Sequence, residues 1–271
     1  MRNSWLVNSM LYNAEAWHGI VKDDTEIFSR VDKTLIRGLL SSHLKVAKEA
    51  LYLETGTLPI KYIWAARRLI YLHTILKREK TELLRRVYDA QKKDTKQGDF
   101  VQLVKTDAKM VNLIIDEEYM EQISKEYFKQ IVKIAVKNAA FSYLLEEQQK
   151  HSKYKNVIHT SLKMQSYLCD PSMNQDDIQF LFAMRTKTLR GIKSDFGNLY
   201  GTDMCPLCEK HIDTIPALME CQELLAVPRT GARYEDIYSP SVDIQRAAVE
   251  QFRALMQARE RIQDWEEEED L

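Results

Sequence analysis

Residues 56–79 read GTLPIKYIWAARRLIYLHTILKRE. Gly56 is a stop for whatever precedes it, because glycine reaches the left-handed conformation in which helices end. Pro59 suits the first turn of a helix, where its missing N–H is not needed. The residues that follow are apolar on most faces: Ile60, Ile63, Trp64, Leu69, Ile70, Leu72, Ile75 and Leu76. A helix that is apolar nearly all round is surrounded by other elements, so this stretch predicts the centre of a helical core.

Outward from that centre the helical pattern continues in both directions. Residues 3–18 (NSWLVNSMLYNAEAWH) predict a helix closed by Gly19. A second helix starts near Thr25, capped by Asp24 or Thr25, with Ile27, Val31, Leu35 and Leu39 as its apolar stripe. A short third one covers 46–54. Downstream, 80–92 is helical, and KKDTKQGD (92–99) is a loop and a hinge. The longest pattern runs from Glu117 to Gln149, with Met120, Ile123, Tyr127, Ile131, Ile134, Phe141 and Leu145 as one stripe. Residues 150–156 are a polar linker. Ser172 with Gln175 resembles a capping box for a helix reaching about Arg190, and 241–265 is a last amphipathic helix before an acidic end. Eight glycines and six prolines in 271 residues leave few helix breakers, and strand signals are nearly absent. The fold class is therefore all-α.

The formal net charge is −1, but its distribution is uneven. Residues 1–200 hold 32 Lys and Arg against 24 Asp and Glu, and residues 201–271 hold 7 against 16. Such asymmetry suits a polyanion-facing body with an acidic tail, or two solvated faces. No stretch approaches the ~18 apolar residues that a membrane span needs, and the residues after Met1 are not a signal peptide. An intracellular chain, nuclear or cytoplasmic, is expected, and in a reducing compartment clustered cysteines are metal ligands sooner than disulfides.

The cysteines are Cys169, Cys205, Cys208 and Cys221. Cys205-Pro-Leu-Cys208 is the turn that aims two thiolates at one ion, and Cys221 follows thirteen residues later. Tetrahedral Zn²⁺ needs a fourth ligand, and His211 is the nearby histidine, giving C-x2-C-x2-H-x9-C. The alternative is three thiols without a metal. Cys169 reads as a small buried side chain at a helix break. Two-metal phosphoryl transfer requires converging carboxylates. The two Asp-Asp pairs do not supply them: Asp23-Asp24 lies in a turn before a helix, and Asp176-Asp177 lies in a first helical turn, where acids compensate the helix dipole. No phosphate-binding glycine loop, nucleophile elbow or His-Glu-x-x-His is present. His73, on the apolar helix, reads as a core residue.

For nucleic acid the helix after Pro59 is the candidate. At about 100° per residue, Lys61, Trp64 and Arg68 fall within a wedge of ~60°. Arg67, Lys77 and Arg78 extend the cationic character, so cations would meet phosphates while the indole stacks on a base. Core packing is the alternative for Trp64, and a solvated face for the Lys and Arg run.

Several of these stretches together resemble one family. LVNSMLYNAEAWHGI (6–20), VDKTLIRGLL (31–40) and ALYLETGTLPIKYIWAARRLIYLHTILKRE (50–79) are similar to the region after the catalytic palm in non-LTR (LINE-type) retrotransposon reverse transcriptases. VYDAQKK and GDFVQLVKTD continue the likeness, and CPLC with Cys221 and YEDIYSP resembles the zinc-knuckle end of such polyproteins. The resemblance implies a thumb-like helical bundle in 1–95, a helical linker in 96–200, and a Cys-rich knuckle with a helical tail in 201–271. It implies RNA or DNA template–primer as partner, and an upstream palm and fingers that do the chemistry, so this chain is not expected to polymerise alone. The family's knuckle histidine falls at Ala217, leaving either His211 as substitute or a degenerate knuckle. The competing function is a helical protein-interaction scaffold, a host-adopted remnant whose partner-binding surface would be the exposed half of 117–149.

Overall fold

The computed structural model describes residues 11–12, 22–40, 46–150, 157, 159–189, 192 and 204–269. Among them the chain is all-α, with nine α-helices and no strand beyond two isolated bridges. The helices are α1 (Lys22–Leu39), α2 (Lys48–Thr55), α3 (Ile60–Leu76), α4 (Leu83–Lys93), α5 (Phe100–Met110), α6 (Glu117–Gln122), α7 (Lys125–Gln149), α8 (Gln175–Arg185) and α9 (Val242–Glu269). The helix expected over 3–18 lies outside the described residues, apart from Leu11 and Tyr12.

The punctuation is chemical. Gly56, at φ 61°, follows the last residue of α2, and Pro59 sits immediately before α3 with an extended ψ of 144°. The Asp116 carboxylate caps α6 by accepting from the Tyr119 N–H at 3.0 Å. The cap of α8 is Asn174 rather than Ser172: its side-chain oxygen accepts from the Asp177 N–H at 2.8 Å. Ser172 is instead folded back on Asp170, its N–H and hydroxyl both donating to one carboxylate oxygen.

Two compact units divide the chain, and they interleave in sequence. One takes its described residues from Met1–Gly38, Gly56–Glu147 and Thr160–Lys163; the other from Leu39–Thr55, Gln148–His159 and Met164–Leu271. The three consecutive segments implied by the family resemblance are a different division, along the sequence rather than by contacts in space.

In the first unit α3 is central, packed against α4, α5 and α6. Ile60, Trp64, Ala65, Leu69, Leu72 and Leu76 are all buried. Arg68 and Asp107 of α5 are paired inside this core, with Nε–Oδ2 2.5 Å and Nη2–Oδ1 2.9 Å. Burial outweighs the pull of Arg68 and holds the Asp107 carboxyl above its usual range. His73 is buried as expected, stacked on Phe128 with ring centroids 5.1 Å apart.

Two apolar stripes have a different phase from the one expected. In α1, Ile27 and Val31 are exposed, whereas Asp32 and Ile36 are buried and Phe28 meets the Trp64 ring edge-on at 5.8 Å. In the long 117–149 pattern, Tyr127 and Ile134 are exposed at 55% and 61%, and the inward row is Phe128, Val132, Val136, Ala140 and Leu144. The pattern is not one helix. Ile123 is extended (φ −86°, ψ 157°), and Ser124 Oγ accepts from the Tyr127 N–H to start α7 afresh. A break resets the phase, and one residue of reset turns a side chain by about 100°.

The second unit is built around buried charge. Glu54, at the end of α2, accepts from Arg185 Nε at 2.8 Å and Nη2 at 3.0 Å, and from the Tyr167 hydroxyl at 2.9 Å. His159 lies 3.4 Å away. Arg185 also donates to the Ile237 carbonyl at 2.7 Å, which ties α8 to the turn before α9. Burial opposes the Arg185 charge, but the Glu54 carboxylate more than offsets it and holds the guanidinium above its ordinary range. A single buried carboxylate holding an arginine and a tyrosine leaves none of its lone pairs to solvent, as a buried ion requires.

Candidate metal centre

The Cys-rich segment is held by backbone before any ligand is considered. Met204 and Ile212 form an antiparallel bridge, and the Cys205 N–H donates to the His211 carbonyl at 2.7 Å. The chain reverses between them with Glu209 in the left-handed region at φ 52°, its N–H returning to the Cys205 carbonyl at 3.0 Å. This closure brings Cys205 and Cys208 to one side of a tight turn. Cys221 arrives at the start of a short 3-10 turn, Gln222–Leu224. Asp213, just after the turn, makes a buried two-point pair with Arg259 of α9 (2.7 and 2.9 Å), which anchors the segment on the last helix.

The three thiols converge. The Sγ atoms of Cys205, Cys208 and Cys221 lie within 4.8 Å of one another, and those of Cys205 and Cys221 are 4.0 Å apart. Four sulfurs at ~2.3 Å from a zinc ion lie ~3.8 Å from each other in a tetrahedron. The Cys205–Cys221 separation is close to that spacing, and the widest separation exceeds it by up to ~1 Å. Cys205 and Cys221 are buried and Cys208 is half-buried. The backbone N–H groups of Lys210 and His211 favour the Cys208 thiolate, Lys210 most, and its pKa is lowered. Burial raises the Cys221 thiol to about 11, with Cys205 beside it pushing the same way. The two thiols are thus shifted in opposite directions by their surroundings. The three cysteines could hold a metal ion.

Among the described residues the converging set contains these three cysteines and not His211. The expected fourth ligand is half-buried, and its backbone carbonyl is what holds Cys205. Cys169 is exposed rather than buried, with its thiol 3.4 Å from the Ser166 carbonyl.

The face expected to bind nucleic acid is largely turned into the first unit. Trp64 is 1% exposed, packed with Leu11 and Ile60, so no base can reach its ring. Arg68 is spent on Asp107. Arg67 donates to the Leu11 carbonyl, and Lys61 sits 3.3 Å from the centroid of the Tyr143 ring. Lys77 is exposed but donates to the Glu121 carbonyl, and Arg78, also exposed, pairs with Glu82 at 2.6 Å. Trp64 and Arg68 are thereby corrected from ligand contacts to core. The three side chains of the ~60° wedge take separate partners within the unit: Lys61 the Tyr143 ring, Trp64 Leu11 and Phe28, and Arg68 the Asp107 carboxylate of α5. A cue lay in the sequence: Asp107 is an acid among the apolar residues of FVQLVKTDAKM, and a buried cation needs such a partner.

Asp23 and Asp24 fall inside α1 rather than in a turn before it. Asp177 accepts from Arg253 at 2.6 Å and from the Asn174 amide at 2.7 Å. No helix among the described residues is long and apolar enough to cross a membrane. Comparison with known protein families, curated proteins and solved structures finds no match to this chain.

Proposed function

We propose that this chain binds nucleic acid as the non-catalytic C-terminal part of a non-LTR retrotransposon reverse transcriptase, with a structural zinc ion on Cys205, Cys208 and Cys221. The observation that carries the reading is the convergence of the three thiols. Cys205 and Cys221 stand sixteen positions apart, yet their thiols meet with that of Cys208, two of the three buried, and three thiolates at such spacing repel one another unless a cation shares them. A bound zinc would cross-link the turn at 205–208 to the short 3-10 turn after Cys221. The Asp213–Arg259 pair would hold that assembly to α9. His211 is the side chain best placed by sequence to complete the set, with solvent as the alternative fourth ligand. Template–primer RNA or DNA is the proposed partner, and the palm and fingers of the parent polyprotein would supply the chemistry.

Two measurements test it together. Elemental analysis of purified protein should give one zinc per chain, absent from Cys205→Ser and reduced in affinity in His211→Ala. Filter binding to duplex and hairpin RNA should show affinity falling steeply from low to moderate salt. A metal-free wild-type chain and no binding at low salt would together refute the reading.

The exposed apolar residues Tyr119, Tyr127 and Ile134 favour a second reading, a protein-interaction scaffold. It expects a protein partner whose binding is insensitive to salt.

A further inference from the structure

We propose that the lysine row of α7, Lys125, Lys129, Lys133 and Lys137, is an edge that follows the phosphates of a nucleic-acid strand; this rests on the nucleic-acid-binding reading above. All four residues are exposed, and none takes part in an ion pair or hydrogen bond among the described residues. They recur every fourth position, so the row climbs about 6 Å per step and spans ~18 Å. At 3.4 Å of axis per nucleotide, that is the length of about five nucleotides of one strand.

The row is parallel to the buried row of the same helix. Three of the four lysines follow a buried apolar residue by one position: Phe128 then Lys129, Val132 then Lys133, Val136 then Lys137. Both rows drift round the helix together, so the packing that seats α7 also keeps the lysines on one flank. Beyond them lies a second exposed row, Gln130, Ile134, Asn138 and Ser142, whose three polar members are neutral hydrogen-bonding groups.

Ordinary solvated helix faces do not look like this. Solvent-exposed helices alternate the sign of charge so that i,i+4 neighbours attract. Here each i,i+4 pair along the row is lysine against lysine, and Glu126 is the only acid between 125 and 145. The placement also opposes the helix dipole. The lysines occupy the positive, N-terminal half, while Glu146 and Glu147 stand near the C-terminal end. The row thus carries a self-repulsion that solvent screens and that an anion bound along it would relieve. Elsewhere in the unit the cations near α6 are satisfied internally: Lys92 by Glu117 and Arg85 by Glu121, both at 2.8 Å.

At the foot of the row a shallow depression of about 280 Å³ is lined by Arg67, Ile70, Tyr71, Thr74 and Lys125. It is too small for an enclosed ligand, and suits continuation of the same strand past Lys125. A membrane is not the favoured occupant. The apolar row of α7 is buried in the fold, and the exposed Tyr127 and Ile134 do not make the continuous apolar face that an interfacial helix inserts.

The test uses the full chain and a fluorescein-labelled 20-base-pair RNA–DNA hybrid. Anisotropy titrations run at several salt concentrations. The variant is K125Q/K129Q/K133Q/K137Q, glutamine having a helix propensity close to that of lysine. The control removes four exposed charges elsewhere in the unit, K80Q/K93Q/K105Q/K109Q. At ~0.9 counterions per phosphate, losing four contacts lowers the slope of log affinity against log salt by ~3–4, with at least a ~10-fold loss of affinity at low salt. The control should lose far less slope. The melting temperature of the α7 variant should be unchanged or higher, since its change relieves repulsion. A wild-type slope in the α7 variant, equal losses in both variants, or a lowered melting temperature would overturn the proposal while leaving nucleic-acid binding standing. Loss of binding to phosphatidylserine vesicles, with hybrid binding intact, would overturn it in favour of a membrane. A wild-type chain that binds no hybrid at low salt would bring down both this proposal and the reading it rests on.

Discussion

Side chains that look ligand-directed in the sequence meet two fates in this molecule. On α3 the cations and the tryptophan turn inward: Trp64 fills the core, Arg68 pairs with Asp107, and Lys61 lies on the Tyr143 ring. In the 204–225 segment the cysteines come together, with three sulfurs within 4.8 Å. The difference lies in how many uses each group has. An arginine or a tryptophan serves packing as readily as binding, because its stem or ring is apolar and its polar end can be satisfied from within. Three thiols at one point, too far apart to be bonded to one another, have few uses other than an ion.

The contrast can be broken from either side. The largest effect is expected in the cysteine segment. Structural zinc sites in finger peptides bind with apparent free energies of about 10–16 kcal/mol at neutral pH, and much of that is folding energy. Chelation, or Cys221→Ser, should therefore loosen 204–225 while leaving α3 intact. Hydrogen exchange would register fast amides at Cys205 and Glu209 with protection of α3 preserved; unchanged protection after chelation would place these thiols in the same class as the α3 cations.

Next in size is Arg68→Ala. It leaves Asp107 buried without its partner, and such losses cost about 3–5 kcal/mol. The paired replacement Arg68→Met with Asp107→Leu should recover most of the stability in urea titrations. If Arg68→Ala is instead stable and loses nucleic-acid affinity with a lower salt slope, α3 does present a binding face.

A smaller effect comes from pH, and it samples both units. Burial lowers the pKa of His73, with Lys77 and Lys125 acting in the same direction against the Ile123 carbonyl. Burial also lowers His159, with Glu54 opposing. In each case the unfolded chain takes up the proton first. Stability from these neutral histidines is full above the ordinary value of 6.5 and declines as pH falls below it towards the folded pKa. Urea midpoints at pH 7.5 and 5.5 should differ in that sense, and imidazole resonances of both residues should titrate below 6.5. The smallest change is expected for Arg78→Ala, which removes an exposed i,i+4 pair with Glu82 and should leave the melting temperature unmoved.

Most of the helices could be read from residue type. Gly56, Pro59 and the apolar run of α3 specify a stop, a start and a buried helix through local backbone preferences. α5 is hard to read because FVQLVKTDAKM is short, and because Asp99 before it, a cap by residue type, accepts from the Lys96 N–H at 2.8 Å instead of capping the helix. The Cys205–Cys208 turn was legible because its chemistry is local. His211 was chosen by spacing, and spacing does not fix which way a side chain points once the backbone carbonyl of that residue is engaged.

Periodicity supplied the step of each helix, because 3.6 residues per turn is a property of the backbone alone. It did not supply the phase. In α1 and α7 apolar residues occupy adjacent rows, and the row that faces inward is the one that meets Trp64 and His73. That selection is made by neighbours distant in sequence, as is the pairing of Arg68 with Asp107 and of Glu54 with Arg185 across 131 residues. Burial, and hence whether a charge is free to meet a partner, is decided only when those distant residues pack together.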